Sequence, residues 1–128
     1  MGSGTARFGI ACPPAVECPV SRTAGEMRMP YTLADLTEEM HRFVTAKGWY
    51  APNSIHPQTA RNLAASLSIE AAEVLEHFQW HEQPHNRAEL AGELADVALY
   101  LLQLASICEI DLEAAILAKL RRNYDREW

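Results

Sequence analysis

Apolar residues recur at helical spacing in four segments of the chain, separated by short stretches that contain proline, asparagine or serine. The first segment lies within YTLADLTEEMHRFVTAKGW, and its apolar positions are Leu33, Leu36, Met40, Phe43 and Val44. Thr32 stands just before this face and can accept hydrogen bonds from the first free backbone N–H groups. Gly48 follows the face and can adopt the left-handed conformation that ends many helices. The pattern therefore predicts a first helix between Thr32 and Gly48.

A second, longer helical pattern runs from about Thr59 to Glu82 and is stopped by Pro84, because proline lacks the backbone donor that a helix interior needs. Asn86 follows and is a favourable cap for a third helix, RAELAGELADVALYLLQLASICE, predicted to run through about Cys108. The connection between these two helices is short. We therefore expect them to be antiparallel neighbours.

Asp111 is a favourable cap for a fourth helix, LEAAILAKLRRNYDREW, and no segment has the alternation of a strand or an internal repeat. Four helices with short connections predict an all-α fold of the four-helix-bundle type. The apolar surface of the third helix nearly encircles it and comprises Leu94, Val97, Ala98, Leu99, Leu101, Leu102 and Leu104. A helix this apolar needs cover on several sides, which predicts an oligomer.

Residues 1–30 have no sustained period and contain four of the seven prolines, so we expect a poorly ordered N-terminal extension followed by one domain, residues 31–128. The extension lacks the basic start and long apolar stretch of a secretory signal, which favours a reducing, cytoplasmic location. Cys12 and Cys18 could pair or bind a metal, but no nearby residue completes a site. Cys108 lies in an apolar helical run and is predicted to be a buried thiol.

The composition, with 48% hydrophobic and 22% charged residues, is typical of a globular domain. A net charge of -6 argues against binding to nucleic acid, and the chain has no apolar run of eighteen residues that would predict a membrane-spanning helix. Between Asn62 and Glu113 there are ten acidic residues and one basic residue, whereas Lys119 to Arg126 contains four basic residues and one acidic. Such a distribution could hold a metal ion and a phosphate chain, although ordinary solvated helix faces give similar counts.

The stretch WHEQPHN contains H-E-x-x-H, the signature of zinc metalloproteases, in His81, Glu82 and His85. The signature binds zinc only when both histidines lie on one face of a single helix. Pro84 falls between the histidines and breaks such a helix. The stretch is therefore predicted to be a polar helix end and turn, with a zinc protease as the weaker alternative.

Two pairs of carboxylates have a spacing that places each pair on one helical face. The second helix carries Glu70 and Glu73 in IEAAEV, and the third carries Glu93 and Asp96 in GELADV. An antiparallel hairpin would bring the pairs together, and their mutual repulsion would then require a cation. Hard oxygen ligands favour Mg²⁺ or Mn²⁺ over Zn²⁺. Solvated helix faces also carry such pairs, but both of these border the most apolar helix surface, where an uncompensated charge is costly.

The order E-x-x-E, nineteen intervening residues and E-x-x-D on consecutive helices resembles the MazG-like all-α nucleoside triphosphate pyrophosphohydrolases. The resemblance covers about Leu33 to Trp128. It is closest to the dCTP pyrophosphatase branch of that family, through the strings AKGW, ARNLAASLSIEAAEVLEHFQW, ELADVALYLLQLA and DLEAAILAKLRRNYDREW.

The resemblance implies a Mg²⁺ site in which the ligands are Glu70, Glu73, Glu93 and Asp96. Mg²⁺, with Mn²⁺ as a substitute, would bridge the triphosphate while water attacks the α-phosphorus, giving a nucleoside monophosphate and pyrophosphate. One carboxylate would accept the proton of the water, and Glu73 is the candidate for this catalytic role.

The resemblance also implies the remaining contacts to the nucleotide. Lys119 and Asn123 match positions that face the phosphates and the sugar, although a solvated helix end would look the same. Trp49 and Trp80 match aromatic residues that enclose the base, with an anchor of a loop on the core as the alternative for Trp49. Tyr100 lies one turn beyond Asp96 and is expected to line the same pocket.

The function implied by the resemblance is cytoplasmic house-cleaning of the nucleotide pool by a homodimer or homotetramer, with dCTP or a modified dCTP as substrate. Three alternatives keep the fold and change the substrate to dUTP, to nucleoside triphosphates in general or to phosphoribosyl-ATP. A further alternative is a non-catalytic oligomeric scaffold, which the presence of all four carboxylates disfavours.

Overall fold

Four α-helices make up the regular structure of the part of the chain that the computed structural model describes, residues 31–84 and 86–127. They are α1 (Leu33–Ala46), α2 (Ala60–Glu76), α3 (Arg87–Ile107) and α4 (Leu112–Tyr124). No strand occurs in these two ranges, so the predicted all-α fold is confirmed. The predicted N-terminal extension, with Cys12 and Cys18, lies outside the described residues.

Each predicted helix cap is present. The Thr32 side chain accepts a hydrogen bond from the backbone N–H of Asp35, and the Asp35 carboxylate accepts one from the backbone N–H of Thr32, which forms a capping box. The side chains of Asn86 and Asp111 accept backbone N–H bonds at the starts of α3 and α4. These contacts satisfy donors that the first turn of a helix leaves without an internal partner. They fix where each helix begins.

Gly48 ends α1 as predicted, with a φ of 69° in the left-handed region. Its N–H donates to the Thr45 carbonyl at 2.9 Å, and the N–H of Trp49 donates to the Val44 carbonyl at 3.2 Å. This pair of bonds is the Schellman motif. It turns the chain sharply, so that Trp49 packs back on the helix that precedes it.

The end of α3 has the same motif with a less suitable residue. Glu109 occupies the left-handed position with a φ of 56°, its N–H donates to the Ser106 carbonyl, and the N–H of Ile110 donates to the Ala105 carbonyl. Cys108 is the cap residue just before this turn, and its thiol is exposed. The predicted buried thiol is therefore wrong, because the side chain lies beyond the packed part of the helix.

The second helix ends at Glu76, earlier than the predicted end at Glu82. The N–H of Phe78 donates to the Leu75 carbonyl at 3.0 Å, which is a three-residue turn bond rather than a helical one. The chain therefore leaves the helix well before Pro84. His81 lies in this non-helical connection, so the described part of the H-E-x-x-H stretch lacks the helix that a zinc protease needs, and His85 lies outside the described residues.

The third helix is central to the packing, because α1, α2 and α4 all contact it. The buried apolar side chains of the described chain lie on α1, α2 and α3 and are Met40, Val44, Leu63, Leu102 and Ala105. Along the α2–α3 contact, Ser66 pairs with Tyr100, and Glu70 lies beside Asp96. Residue numbers rise on α2 as they fall on α3, which confirms that the two helices are antiparallel.

Among the described residues, α3 is the one helix that is long and apolar enough to cross a membrane by length and composition. This is weak support for a span, because the core helix of a soluble protein passes the same test. In this chain the helix carries Glu93 and Asp96 in its first half, and three other helices pack on it. Charged residues within a membrane segment are rare and costly.

Candidate active site

Three carboxylates from two helices converge in the α2–α3 hairpin. Glu70 of α2 and Glu93 and Asp96 of α3 each offer an oxygen, and the three oxygens lie within 4.8 Å of one another. Glu70 is only 7% exposed, and the other two side chains are half-buried. The three-residue spacing of Glu93 and Asp96 places them on one face of α3, and the antiparallel register brings this face to Glu70. We refer to these three residues as the carboxylate cluster.

The environment of Glu70 opposes its negative charge. Burial, as the largest cause, and the negative charges of Asp96, Glu73 and Glu93 together raise the pKa of this carboxyl to about 7. All of the charges that shift this pKa are negative. At neutral pH the group therefore needs either a proton or a nearby cation.

Asp96 is subject to the same two effects. Burial raises its pKa, and the charge of Glu73 adds to the increase. Glu73 is half-buried one turn after Glu70 and acts electrostatically on both groups, but its oxygens are not among the three that lie within 4.8 Å. The four predicted ligands are thus brought together as a close group of three with Glu73 beside it.

Tyr100 borders the carboxylate cluster, and its expected place in a nucleotide pocket stays a prediction. Its side chain is hydrogen-bonded to Ser66 of α2, and it is close enough to Glu70 and Asp96 for their charges to raise its pKa. Burial is the largest cause of the increase, so the hydroxyl keeps its proton at neutral pH. Ser66 was not predicted from the sequence, although it precedes Glu70 by four residues and so lies on the same face of α2.

The donor set of the cluster suits a hard divalent cation. The ligand atoms are carboxylate oxygens, and no histidine or cysteine of the described chain belongs to the group. Oxygen donors of this kind bind Mg²⁺ and Mn²⁺, whereas structural zinc sites favour sulfur and nitrogen. A divalent cation would also offset the repulsion that raises the pKa of Glu70. The residues present therefore fit Mg²⁺.

Trp49 and Trp80 lie on the two connections that flank α2. The Trp49 ring makes edge contacts with Phe43 of α1 and with His56, each with ring centroids 5.7 Å apart, so Trp49 anchors its loop to α1. Trp80 is 81% exposed in the connection after α2 and can present its ring to a ligand. The first tryptophan therefore has a fixed position, and the second is open to solvent.

Lys119 and Asn123 lie on α4 and are not part of the carboxylate cluster. Their four-residue spacing places them on one face of the helix. Lys119 is exposed and Asn123 is half-buried. Arg121 and Arg122 in the last turn of α4 add to the positive charge of this helix.

A chain of polar side chains links α1, the loop 47–59 and α3, and sequence reasoning missed it. The His41 imidazole contacts the Tyr50 hydroxyl at 2.6 Å through Nδ1 and the Ser106 hydroxyl at 2.7 Å through Nε2. The Gln103 amide donates to the Tyr50 oxygen at 3.2 Å and to the Gln58 side-chain oxygen at 2.8 Å. We refer to these five residues as the loop network.

One signal in the sequence could have pointed to the loop network. Gln103 follows Asp96 and Tyr100 at helical spacing, so a polar stripe continues along α3 beyond the carboxylates. Its partners could not have been found in this way, because Tyr50 lies 53 residues away in the chain.

Comparison with known proteins identifies the family of this chain. The profile of the MazG-like family matches residues 65–127, which include all four predicted ligands. The dCTP pyrophosphatase 1 of Rattus norvegicus is 35% identical over 104 residues, which are 74% of this chain and 58% of the rat protein. The Homo sapiens protein of the same name is 35% identical over 105 residues, covering 73% and 59% of the two chains.

A solved structure agrees with these relatives. The crystal structure of a pyrophosphatase from Archaeoglobus fulgidus matches with a TM-score of 0.62 and 31% identity, over 77% of this chain and 94% of that one. The chain therefore belongs to the MazG-like family. Within the family it lies near the dCTP pyrophosphatase branch, although it spans less than two thirds of the length of those relatives, 58% for the rat protein.

Proposed function

We propose that this chain is a Mg²⁺-dependent nucleoside triphosphate pyrophosphohydrolase that converts a dNTP to a dNMP and pyrophosphate, with dCTP or a modified dCTP favoured. The observation that carries the proposal is the carboxylate cluster, in which oxygens from α2 and α3 lie within 4.8 Å of one another around the buried Glu70. The names of the dCTP pyrophosphatase relatives support the choice of substrate.

Glu70, Glu93 and Asp96 would hold the metal, and the helical hairpin sets their spacing before any ligand arrives. When bound, Mg²⁺ supplies positive charge that polarises phosphate oxygens and lowers the pKa of nearby water. The three carboxylates stand on packed helices, so little reorganisation is needed to receive a cation and a triphosphate.

Glu73 is the proposed general base. It lies beside the carboxylate cluster and acts electrostatically on Glu70 and Asp96, so it is close to the place where the attacking water would lose its proton. In this proposal Glu73 accepts the proton of the water and completes the set of four carboxylates around the metal.

The proposed contacts to the rest of the nucleotide come from other elements. Trp49 and Trp80 would stack on the base, a kind of contact that contributes about 1–3 kcal/mol per base. Tyr100 would line the site between base and carboxylates, where Ser66 orients its hydroxyl. Lys119 and Asn123 would contact phosphate and sugar, because an ammonium group and an amide suit those partners.

The proposal includes a cytoplasmic house-cleaning role and assembly into a homodimer or homotetramer. Apolar side chains remain exposed on α3 and α4 of the single chain and include Leu94, Leu101, Ile116, Leu117 and Leu120. The apolar residues of α4 recur at helical spacing, and an apolar helix face without cover is typical of an interaction site. We therefore propose that a second copy of this chain covers these side chains, as the apolar surface of α3 predicts.

The test is a nucleotide panel with Mg²⁺ or Mn²⁺ in which nucleoside monophosphate and pyrophosphate are both measured. We expect release from dCTP to exceed that from dUTP, from the other nucleotides and from phosphoribosyl-ATP. Equal turnover of all bases would remove the dCTP preference.

The control is the double variant Glu70→Ala, Glu73→Ala, which should bind neither Mg²⁺ nor a non-hydrolysable nucleotide by titration calorimetry. Equal binding by the wild type and this variant would favour the scaffold alternative.

A further inference from the structure

One arrangement of protons satisfies every contact of the loop network. The Gln103 amide nitrogen can only donate, so the Tyr50 oxygen accepts from it, and the Tyr50 proton is free to bond elsewhere. The nearest partner for that proton is Nδ1 of His41, at 2.6 Å. In this arrangement Nε2 of His41 donates to the Ser106 hydroxyl. Every contact in the chain thus has a donor and an acceptor.

Gln103 is the centre of this network. It is only 3% exposed and directs both amide protons into the loop 47–59, one to Tyr50 and one to Gln58. These two partners stand near the two ends of the loop, so a single buried amide fixes the loop at two points. A buried amide that loses such partners is costly, because water cannot reach it to replace them.

The fixed points connect the loop to the helix that bears the catalytic carboxylates. Gln103 lies on the face of α3 that also carries Asp96 and Tyr100, at helical spacing along the same helix. Tyr50 is adjacent in the chain to Trp49, whose ring is already held by Phe43 and His56. Gln103 therefore joins the polar stripe of α3 to the segment that contains Trp49.

We propose that Gln103 is a positioning residue that locks the loop 47–59 onto α3 and so sets the position of Trp49 relative to the carboxylates. The inference rests on the proposed function, in which Trp49 contacts the base and the carboxylates act on the phosphates. Small displacements of a binding group relative to the reacting atoms lower the efficiency of a site, even when the displaced residue takes no part in the chemistry. Gln103 itself touches neither part of the nucleotide in this proposal.

The test compares two substrates that differ only in the base, dCTP and 2-deoxyribose 5-triphosphate. Two variants interrupt the network from opposite sides, Gln103→Leu on α3 and Tyr50→Phe on the loop. We expect each to raise KM for dCTP by about fivefold or more with a change in kcat below about twofold, and to leave both constants for the abasic triphosphate unchanged. The variant Gln83→Leu makes the same substitution at an exposed position outside the network and should behave as the wild type.

The double variant Gln103→Leu, Tyr50→Phe should raise KM for dCTP by less than the product of the two single effects, because both changes break the bond between Gln103 and Tyr50. Multiplicative effects, an equal rise of KM for both substrates or an unchanged KM for dCTP would overturn the inference. Should Gln103→Leu fail to fold, Tyr50→Phe carries the test, since it removes only one oxygen from an exposed side chain.

Hydrogen exchange of the loop 47–59 separates this inference from the proposed function. Faster exchange in Tyr50→Phe than in the wild type supports the lock, and equal exchange rules it out, whether or not any nucleotide is hydrolysed. A wild type that hydrolyses no member of the nucleotide panel would instead contradict the proposed function.

Discussion

At the scale of single residues, the site depends on a carboxyl group in an unfavourable environment. Glu70 is buried among other carboxylates, and its pKa rises to about 7 from the ordinary 4.5. Without a cation this arrangement opposes folding, because the charged form loses hydration and meets like charges. Titratable groups with such shifted pKa values are typical of functional sites, where a bound ligand offsets the unfavourable electrostatic energy.

The raised pKa predicts how the stability of the metal-free protein depends on pH. Between pH 4.5 and about 7 the folded chain holds a proton on Glu70 that the unfolded chain has lost, so the free energy of unfolding falls as pH rises through this range. We expect a difference on the order of 1–3 kcal/mol between pH 5 and pH 8. Denaturant unfolding in EDTA at both values measures it. Glu70→Gln should flatten the dependence, and an unchanged slope in that variant would assign the effect to other groups.

Glu93→Gln should separate activity from stability. The amide removes one negative ligand, so we expect turnover of dCTP to fall by at least about 100-fold while the helical circular dichroism spectrum is unchanged. The melting temperature in EDTA should rise, since the repulsion around Glu70 is reduced. Glu113→Gln, on the exposed surface of α4, is the matched control and should change neither quantity. Full turnover by Glu93→Gln would exclude Glu93 from the metal site.

Glu109 offers a test of backbone strain away from the site. Its φ of 56° costs a residue with a side chain about 1–2 kcal/mol, and glycine avoids this cost. We expect Glu109→Gly to raise the free energy of unfolding by about 0.5–1 kcal/mol after the greater entropy of glycine in the unfolded chain is included.

Gly48→Ala is the opposite experiment at the end of α1. Nothing lies within 4 Å of an added Cβ there, so only the left-handed φ of 69° opposes alanine. Denaturant unfolding should show a loss of stability of about 1 kcal/mol. If both variants shift stability in the same direction, conformational strain at the left-handed position is not the cause.

At the scale of helices, the sequence predicted where elements begin better than where they end. The caps Thr32, Asn86 and Asp111 were predictable because a cap bonds only to residues two or three positions ahead. The end of α2 was not, since the chain turns at Glu76 through bonds that the apolar pattern does not encode. The carboxylate cluster was predictable because two short helical spacings and one hairpin are enough to assemble it.

The loop network could not be predicted in the same way. Its contacts join residues 9, 45, 53 and 65 positions apart, across three different segments. No local rule relates positions at such distances, and a polar residue within an apolar helix has many potential partners. The roles of Trp49, Trp80, Lys119 and Asn123 came from the family resemblance and remain predictions.

Removal of the α3 cap tests the hairpin as an element. Asn86 accepts N–H bonds from Ala88 at 3.0 Å and Glu89 at 3.3 Å, so Asn86→Ala should lower the free energy of unfolding by about 1 kcal/mol. Asn86→Asp keeps an acceptor at the start of the helix and should be nearly neutral. Chemical denaturation of the three proteins measures this. A neutral Asn86→Ala would mean that another group satisfies these donors.

At the scale of the whole molecule, the described part of the chain leaves much of α4 without apolar cover. The described residues of α4 include no buried side chain, although Ile116, Leu117 and Leu120 are apolar. The helix contacts α3, which itself has only Leu102, Gln103 and Ala105 buried. A second copy that covers these surfaces would bury the apolar side chains that this chain leaves exposed on α3 and α4.

Leu120→Glu tests that assembly. A charge within an apolar interface loses hydration without gaining a partner, so the variant should shift the protein towards the monomer by light scattering after size exclusion. Asn53→Glu introduces the same charge in an exposed loop and should keep the wild-type mass. A monomeric wild type, or an unchanged mass for Leu120→Glu, would contradict assembly through this face of α4.

The carboxylates and the tryptophans lie on parts of the chain that differ in their tolerance of substitution. Glu70, Glu73, Glu93 and Asp96 stand on helices, whereas Trp49 lies in the connection 47–59 and Trp80 in the connection 77–86. Loops tolerate insertion and substitution far better than helices whose faces are packed together. If the chain hydrolyses nucleotides as proposed, random libraries confined to the positions of these connections outside the loop network should change the nucleotide preference while the hydrolytic step persists. The fold would then be a suitable starting point for evolving hydrolases of other nucleotides.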